Sequence, residues 1–273
     1  MAKGDGVTSF SVDFMSDLHA DLHDSPLDYA ALKKNDIAVV AGDVASDPAT
    51  CLAELKKIAA VYETVLFVDG NHEFRSGKKG FRYNFDFAAV EETLREGIEQ
   101  MPNVVYLRDK PFVKDGVAII GRNGHWDYRI LKGYPWRQAV REGLGLLGAD
   151  FNKAASFSKM ARRDYYALRD HILQFNGDPS IHTIVVVTHT VPRAELIDFK
   201  ADSRKAKHAQ KGSWLMRNLL RHDMGKKVKF WLFGHQHAAK TQQIDGVLYH
   251  ENPRGHDVQA ARTYRPSVLK FGT

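Results

Sequence analysis

The amino-acid sequence predicts an α/β fold built on a largely parallel β-sheet. Short apolar runs rich in Val, Ile and Phe recur along the 273 residues, and each is bounded by polar residues. Such runs are typical of buried strands. Segments with helical periodicity lie between several of them, and strand–helix–strand alternation favours parallel pairing. The length fits one large domain or two small ones, and no repeat or low-complexity linker divides the chain.

Five predicted strands each run directly into a cluster of polar residues. They are Ser9–Met15, Ile37–Ala41, Val65–Val68, Ile184–Val187 and Val228–Phe233. In open α/β sheets, ligands gather at the carboxyl ends of the strands. We therefore expect the five clusters to converge on one crevice.

Helices and turns account for most of the remaining chain. Helices are predicted at Leu27–Lys34, Ala49–Tyr62, Phe87–Gln100, Ser156–Phe175 and Lys211–His222. Asp-Gly pairs at 115–116 and 245–246 predict two hairpins, because this dipeptide accepts the positive φ of a tight turn. The second hairpin predicts an antiparallel meander in the C-terminal part. Residues 122–152 are predicted to be loop-rich, either a functional lid or a structural excursion.

Composition and charge narrow the class of protein. The chain is 44% hydrophobic and 26% charged, which is typical of a globular protein. A net charge of +6 fits an anionic substrate but is too diffuse to predict nucleic acid as a partner. We interpret the basic segments Lys200–Lys211 and Arg217–Lys229 as solvated surface. The single Cys51 excludes an internal disulfide and fits a reducing compartment.

The N-terminus has no apolar leader, and no apolar run approaches the ~18 residues of a membrane helix. The sequence therefore predicts a cytoplasmic protein without a membrane span.

The polar clusters carry side chains that bind divalent metals. The candidate ligands are Asp17, His19, Asp43, Asn71, His189, His235 and His237. Two pairs, 17/19 and 235/237, are two residues apart, and on an extended segment such side chains point the same way. Carboxylates, imidazoles and an amide without a thiolate suit Mn, Fe, Zn, Co or Ni.

The order of these motifs resembles the calcineurin-like metallophosphoesterase superfamily. It runs Asp-x-His, Gly-Asp, Gly-Asn-His-Glu, His and Gly-His-x-His, from residue 17 to residue 237. Each motif alone is weak, but all five in order at predicted strand ends are a specific signal. The resemblance implies a four-layer αββα sandwich with two mixed β-sheets. It also implies that residues 1–273 form a single domain.

The resemblance implies a centre of two divalent ions, with Mn favoured. The implied ligands fall into three groups: Asp17, His19 and His237 on the first ion, Asn71, His189 and His235 on the second, and Asp43 bridging both. His72 would face the substrate and contact phosphoryl oxygens or protonate the leaving group. A hydroxide shared by the two ions would attack the phosphate ester.

The implied activity is hydrolysis of a small phosphorylated substrate, with a phosphodiester favoured. A phosphomonoesterase is one alternative, and a non-catalytic metal-binding module of the same fold is another. The Asp-Arg-Gly of serine/threonine protein phosphatases is missing, because Gly42-Asp43 is followed by Val44-Ala45-Ser46. A module that had lost activity would lack ligands or His72, and neither is missing.

Several residues outside the ligand set have more than one interpretation. His125, just past the predicted strand at 117–120, could line the substrate pocket. Arg254, in an Asn-Pro-Arg-Gly turn, could bind a phosphate or brace the turn. We interpret Glu73 as a supporting or helix-start residue and Asp47 as a helix N-cap before a proline. We interpret the other histidines as structural or exposed: His23, His171, His182, His208, His222, His250 and His256.

Overall fold

The computed structural model describes residues 9–75, 83–147, 151–200 and 204–272, with backbone alone at 144–147 and 151–154. The strands are β1 Phe10–Met15, β2 Ile37–Ala41, β3 Thr64–Val68, β4 Val104–Tyr106, β5 Phe112–Lys114, β6 Val117–Arg122, β7 Thr183–Thr188, β8 Val228–Phe233, β9 Lys240–Ile244, β10 Val247–Glu251 and β11 Ser267–Phe271. The α-helices are α1 Tyr29–Leu32, α2 Pro48–Ala59, α3 Phe87–Glu99, α4 Trp136–Leu147, α5 Phe151–Gly177, α6 Lys205–Ala209 and α7 Val258–Arg262. Short 3₁₀ helices cover Ala20–Leu22, Ala194–Leu196 and Met216–His222.

The strands form two mixed sheets. The first sheet has the order β11-β1-β2-β3-β4 and is parallel except at β11, which runs antiparallel to β1. The second has the order β5-β6-β7-β8-β10-β9, with a parallel centre and antiparallel edge strands β5 and β9. Two mixed sheets confirm the predicted fold class.

The central strands of each sheet bury both of their faces, as β2 and β7 show. In β2, Val39 belongs to the hydrophobic cluster between the sheets, which also contains Val185 of β7. The next residue, Val40, points to the other face and packs with Leu55 of α2. Leu168 of α5 covers the outer face of the second sheet in the same way. The layers are therefore helix, sheet, sheet and helix, as the resemblance implies.

Local turn and capping signals agree with the structure, but the C-terminal topology does not. Asp47 caps α2 by accepting a hydrogen bond from the Thr50 backbone at 2.8 Å. Both Asp-Gly pairs turn hairpins, with positive φ at Asp115 and Asp245. The predicted antiparallel meander is wrong. β10 pairs parallel to β8, and β11 crosses to the first sheet to pair with β1.

One helix prediction and one loop prediction also need correction. The predicted helix Lys211–His222 is wrong: residues 211–215 are non-helical, Met216–His222 form a 3₁₀ helix, and the nearest α-helix, α6, ends before this range at Ala209. A Cβ on Gly212 would lie 1.9 Å from the Val191 carbonyl oxygen, so the backbone is held against this neighbour. The loop-rich stretch at 122–152 contains α4, which buries Ala139 and Val140. In the part of the chain that the structure describes, no helix has the length and apolarity needed to cross a membrane.

Candidate metal centre

All seven predicted ligands come together where the carboxyl ends of β1, β2, β3, β7 and β8 meet. The side chains of Asp17, His19, Asp43 and His237 place one ligand atom each within 4.8 Å of one another. Asp43 belongs to a second such group with His189 and His235. The centre therefore consists of two adjoining ligand groups that share one carboxylate.

In the first group, imidazole and carboxylate atoms face one another at close range. His19 Nε2 lies 3.0 Å from His237 Nε2, and His237 Nε2 lies 3.3 Å from Asp17 Oδ1. Asp43 Oδ2 lies 4.0 Å from His19 Nε2. Asp17, His19 and Asp43 are buried. Buried carboxylates that face imidazole nitrogens form a donor set that suits a divalent ion.

In the second group, hydrogen bonds to the backbone orient the imidazoles. His189 Nδ1 lies 2.9 Å from the carbonyl oxygen of Ala41. A proton on Nδ1 donates to that oxygen and leaves Nε2 with a free lone pair. Nε2 lies 3.1 Å from Asn71 Oδ1 and 3.3 Å from Asp43 Oδ2. His235 Nε2 lies 3.1 Å from the carbonyl oxygen of Gln210, so its Nδ1 is left as the acceptor.

The backbone at the ligands adopts a conformation that side-chain-bearing residues rarely take. φ is +49° at Asp17, +43° at His19, +52° at Asp43, +76° at His235 and +57° at His237. Left-handed backbone outside glycine costs free energy and is concentrated at functional sites. Five of the seven predicted ligands adopt this backbone, so the strained conformations are concentrated at the centre.

Two glycines allow the loops to approach one another. A Cβ on Gly234 would lie 2.3 Å from Asp17 Oδ2. Gly42 has φ +79°, and a Cβ there would lie 2.7 Å from His189 Nδ1. A side chain at either position would displace a predicted ligand.

Glu73 ties the second and third strand-end loops together. Its carboxylate accepts backbone hydrogen bonds from Gly70 at 2.7 Å, Asp43 at 3.1 Å and Val44 at 2.6 Å. Asp43 Oδ1 in turn accepts one from the His72 backbone at 2.7 Å. These contacts hold the two loops in place, which is the supporting role predicted for Glu73.

His72 lies beside the shared carboxylate and lines a cavity of about 520 Å³. Its Nε2 is 3.8 Å from Asp43 Oδ2, and its Nδ1 is 3.4 Å from Ser46 Oγ. Burial lowers the pKa of His72 to about 3, although the Asp43 carboxylate opposes the shift. Asn71, His235 and Asp43 line the same cavity, so the ligands are open to a bound molecule.

His256 also lines this cavity, although the sequence gives it no ligand pattern. Its ring centroid lies 4.2 Å from that of His19 and 4.3 Å from that of His237. It also forms a possible ligand group with His19 and His72. The one sequence signal is its position directly after the turn at 252–255, whose Gly255 backbone donates to the Asp17 carbonyl oxygen at 3.0 Å.

The structure corrects the pocket role considered for His125. The side chain is buried, and its Nδ1 lies 2.7 Å from Asp164 Oδ2. Its ring packs against Phe74 and Phe87, with centroids 5.7 Å away in each case. His125 therefore faces the core instead of the cavity.

The structure also favours the bracing role of Arg254 over phosphate binding. Its Nη2 donates to the carbonyl oxygen of Ser25 at 2.6 Å, and its Nη1 lies 3.4 Å from that of Leu18. The side chain is buried. The guanidinium therefore holds two loops together and does not line the cavity.

The basic segment Lys200–Lys211 is interpreted from the sequence as solvated surface. This interpretation does not hold for three of its residues. Arg204, Lys207 and Lys211 line the same cavity as the ligands. Lys211 Nζ also donates to the carbonyl oxygen of His235 at 3.3 Å. No local pattern signals this, because α6 reaches the cavity through tertiary packing.

Comparisons with known proteins agree with this architecture. Over 258 residues the chain is 22% identical to an uncharacterised protein of Acanthamoeba polyphaga mimivirus, covering 89% of this chain and 90% of that protein. The structure is similar to that of a phosphopantetheinyl hydrolase from Mycobacterium tuberculosis. That match has a TM-score of 0.74 and 18% identity, and it covers 96% of this chain and 95% of the other.

A dimetal phosphatase from Danio rerio has a TM-score of 0.53 and 14% identity, over 89% of this chain and 86% of that one. These structural likenesses show a shared fold. The family model of calcineurin-like phosphoesterases matches residues 10–239, a range that includes all seven predicted ligands. The chain therefore belongs to the calcineurin-like phosphoesterase family, and its histidine and aspartate side chains are placed for metal binding.

Proposed function

We propose that the protein hydrolyses a phosphodiester in a small substrate and uses two divalent metal ions, with Mn favoured. The observation that carries this proposal is the position of Asp43, whose carboxylate belongs to both ligand groups. A carboxylate shared in this way can bridge two ions. We further propose that residues 1–273 act as a single domain. The buried free thiol of Cys51 supports a reducing, cytoplasmic location.

We propose that these side chains are divided between two ions. Asp17, His19 and His237 would hold the first, Asn71, His189 and His235 the second, and Asp43 both. Two ions bound there would supply Lewis acidity, which activates water and offsets negative charge on the phosphoryl group. The chain contributes the orientation of each imidazole through its backbone contacts.

His72 and His256 are the side chains best placed to meet the substrate. Both line the cavity, and neither is needed to complete the two ligand groups. The His72 backbone N–H donates to Asp43 Oδ1, which fixes its loop to the shared carboxylate. We assign His72 to contact with phosphoryl oxygens or, if the negative charge of a bound phosphoryl group raises its lowered pKa enough to protonate the ring, to protonation of the departing oxygen. We assign His256 to substrate contact.

The shape of the cavity supports a diester over a monoester. Beyond the ligands, it extends to Tyr83 and Trp126. Trp126 is held in place by stacking on Phe157, with ring centroids 4.3 Å apart. The part of the cavity lined by Tyr83 and Trp126 offers space and apolar contact for the second ester group of a diester.

The test compares hydrolysis of bis(p-nitrophenyl) phosphate and p-nitrophenyl phosphate by the Mn-loaded protein. We expect diester turnover that Asp43→Ala and His189→Ala reduce by at least about 100-fold, because each removes a metal ligand. His182→Ala is the matched control, since His182 lies just before β7 and His189 just after it.

Turnover of the monoester alone would establish a phosphomonoesterase instead. Protein that binds two ions but turns over neither ester with any divalent metal would be a non-catalytic binding module.

A further inference from the structure

Two aromatic side chains of the cavity wall contact ligands of the same proposed ion. Tyr83 and Trp126 line the cavity, and both are buried. Tyr83 contacts Asn71 and Trp126 contacts His235, which are two of the three side chains assigned to the second ion alone. The third is His189, which the backbone orients. The two aromatic residues therefore lie where they can set the orientation of both remaining ligands.

The hydroxyl of Tyr83 distinguishes the two ends of the Asn71 amide. Asn71 Nδ2 donates to Tyr83 Oη at 3.0 Å. The other end of the amide, Oδ1, lies 3.1 Å from Nε2 of His189. A carboxamide has an acceptor and a donor of similar size, so its rotation by half a turn would point the donor at the ion. The hydrogen bond to Tyr83 therefore directs the oxygen, the end that can bind a cation, to the second ion.

The indole of Trp126 stacks on the imidazole of His235. Their ring centroids lie 5.8 Å apart, and the two ring planes differ by 16°. His235 Nε2 also lies 3.1 Å from the carbonyl oxygen of Gln210. The stack limits the tilt of the imidazole, and the hydrogen bond limits which nitrogen faces the centre. Together, the two contacts keep Nδ1 directed to the ion.

One phenyl ring supports both of these contacts. Phe157 of α5 stacks on Trp126 with ring centroids 4.3 Å apart, and it meets Tyr83 nearly at right angles with centroids 5.5 Å apart. Phe157 is buried, and the three residues belong to one hydrophobic cluster. Because close-packed side chains resist displacement, Tyr83 and Trp126 are held in fixed positions relative to each other.

We propose that Tyr83 and Trp126, supported by Phe157, are positioning residues for the second ion and not for the first. This inference rests on the proposed two-ion function. His19, a ligand assigned to the first ion, has ring contacts with imidazoles instead: those of His72, His237 and His256. Changing the partners of a metal ligand lowers metal affinity by about 10–100-fold. The loss should therefore appear in the binding of one ion only.

The first test is a calorimetric titration of the metal-free protein with Mn²⁺. The binding step that His189→Ala abolishes identifies the second ion. Tyr83→Phe removes only a hydroxyl, and we expect the affinity for the second ion to fall by about 10-fold or more. The affinity for the first ion should stay within about threefold of the wild-type value. Tyr165→Phe is the matched control, because its hydroxyl oxygen lies 3.0 Å from Nε2 of His222, which is not a predicted ligand.

The second test determines whether the hydroxyl acts through the amide. Asn71→Asp replaces the amide by a carboxylate, which presents an oxygen to the ion in either orientation. In this background, we expect Tyr83→Phe to change the affinity for the second ion by less than about threefold. A hydroxyl needed only for packing or folding would have the same effect in both backgrounds.

Two variants test the stacked indole. Trp126→Leu removes the ring that stacks on His235, and it should weaken binding of the second ion by about 10-fold. Trp126→Phe keeps an aromatic ring at this position and should restore most of that loss. Unaltered affinity in Trp126→Leu would assign the orientation of His235 to Gln210 alone and remove Trp126 from the proposal.

Three results would overturn the role of Tyr83: unaltered binding of the second ion in Tyr83→Phe, an equal loss for both ions, or an equal loss in the Asn71→Asp background. Each can occur in a protein that hydrolyses the diester, so the proposed activity would stand. Conversely, selective loss of the second ion, rescued by Asn71→Asp, in a protein that turns over no ester would support the positioning role while the proposed activity fails.

Discussion

The carboxylate of Glu73 lies 2.6 Å from the backbone nitrogen of Val44 and accepts its hydrogen bond. The same carboxylate accepts from the Asp43 backbone at 3.1 Å and the Gly70 backbone at 2.7 Å. One acidic side chain thus sets the spacing between the loop that carries the shared ligand and the loop that carries Asn71.

The first prediction concerns this carboxylate. Glu73→Gln preserves the shape of the side chain but directs an amide donor toward backbone donors. We expect metal affinity to fall by about 10–100-fold, the range seen when partners of metal ligands are changed. A calorimetric titration with Mn²⁺ measures this affinity. Glu63→Gln changes an exposed glutamate and should leave the affinity unaltered. Unaltered affinity in Glu73→Gln would show that the loops hold their spacing without it.

The second prediction concerns His256. Removing its imidazole in His256→Ala should reduce kcat/KM for the diester while both ions still bind. Loss of a hydrogen bond to a charged group costs about 1.5–3 kcal/mol, which is roughly 10–100-fold in rate. Steady-state kinetics and metal analysis of the same sample check both statements. His182→Ala removes an exposed imidazole next to β7 and is the control. If His256→Ala instead loses an ion, His256 is a ligand.

The third prediction uses the close approach of two strand-end loops. Gly234→Ala would place a Cβ 2.3 Å from Asp17 Oδ2, so the carboxylate or the loop has to move. We expect a loss of about 1–3 kcal/mol in unfolding free energy together with weaker metal binding. Gly177→Ala is matched to it, because a Cβ there meets nothing within 4 Å. Normal metal content in Gly234→Ala would mean that the Asp17 carboxylate can shift without cost.

The fourth prediction concerns the buried ion network behind the centre. Asp164 accepts from the Gly124 backbone at 3.0 Å, lies 2.7 Å from His125 Nδ1, and lies 3.5 Å from Arg108 Nη1. Asp164→Asn removes one of the negative charges that offset the buried guanidinium of Arg108. Breaking a buried ion pair in this way lowers the free energy of unfolding by about 3–5 kcal/mol. Denaturant unfolding at neutral pH measures it, with the exposed Asp170→Asn on the same helix as control.

The pH dependence of this difference follows from the charge of Asp164. Burial alone would raise the pKa of the Asp164 carboxyl, but His125 and Arg108 lower it below the usual value. A carboxyl with a depressed pKa in the folded state stabilises that state above the unfolded pKa of about 3.9 and loses this effect as the pH falls further. The gap between wild type and Asp164→Asn should therefore narrow below about pH 4. If the difference in unfolding free energy does not change with pH, the destabilisation by Asp164→Asn comes from altered packing and not from the lost charge.

The sequence predicted the ligand-bearing strands well because each signal is local. An apolar run followed by a polar cluster predicts both a strand and its end, and Ile37–Ala41 and Val228–Phe233 have the bounds expected. The strands Val104–Tyr106 and Ser267–Phe271 were missed. The first is only three residues long, and the second lies at a sheet edge with its side chains alternating in exposure.

The direction of a side chain after a strand was less predictable than its position. His125 follows β6 as expected, but Asp164 of α5 binds the backbone of Gly124 and His125 and draws the imidazole into the core. His256 and Arg204 reach the cavity through contacts between elements distant in sequence. Patterns along the chain carry no information on such contacts.

The division of the ligands between the two sheets has a mechanical consequence. The first sheet supplies Asp17, His19, Asp43 and Asn71, and the second supplies His189, His235 and His237. Bound ions would therefore link one sheet to the other across their close-packed core. A small slip of one sheet over its neighbour would separate the two halves of the ligand set before any strand unravelled. The amount of metal that the protein binds therefore reports whether the two sheets are correctly aligned with each other.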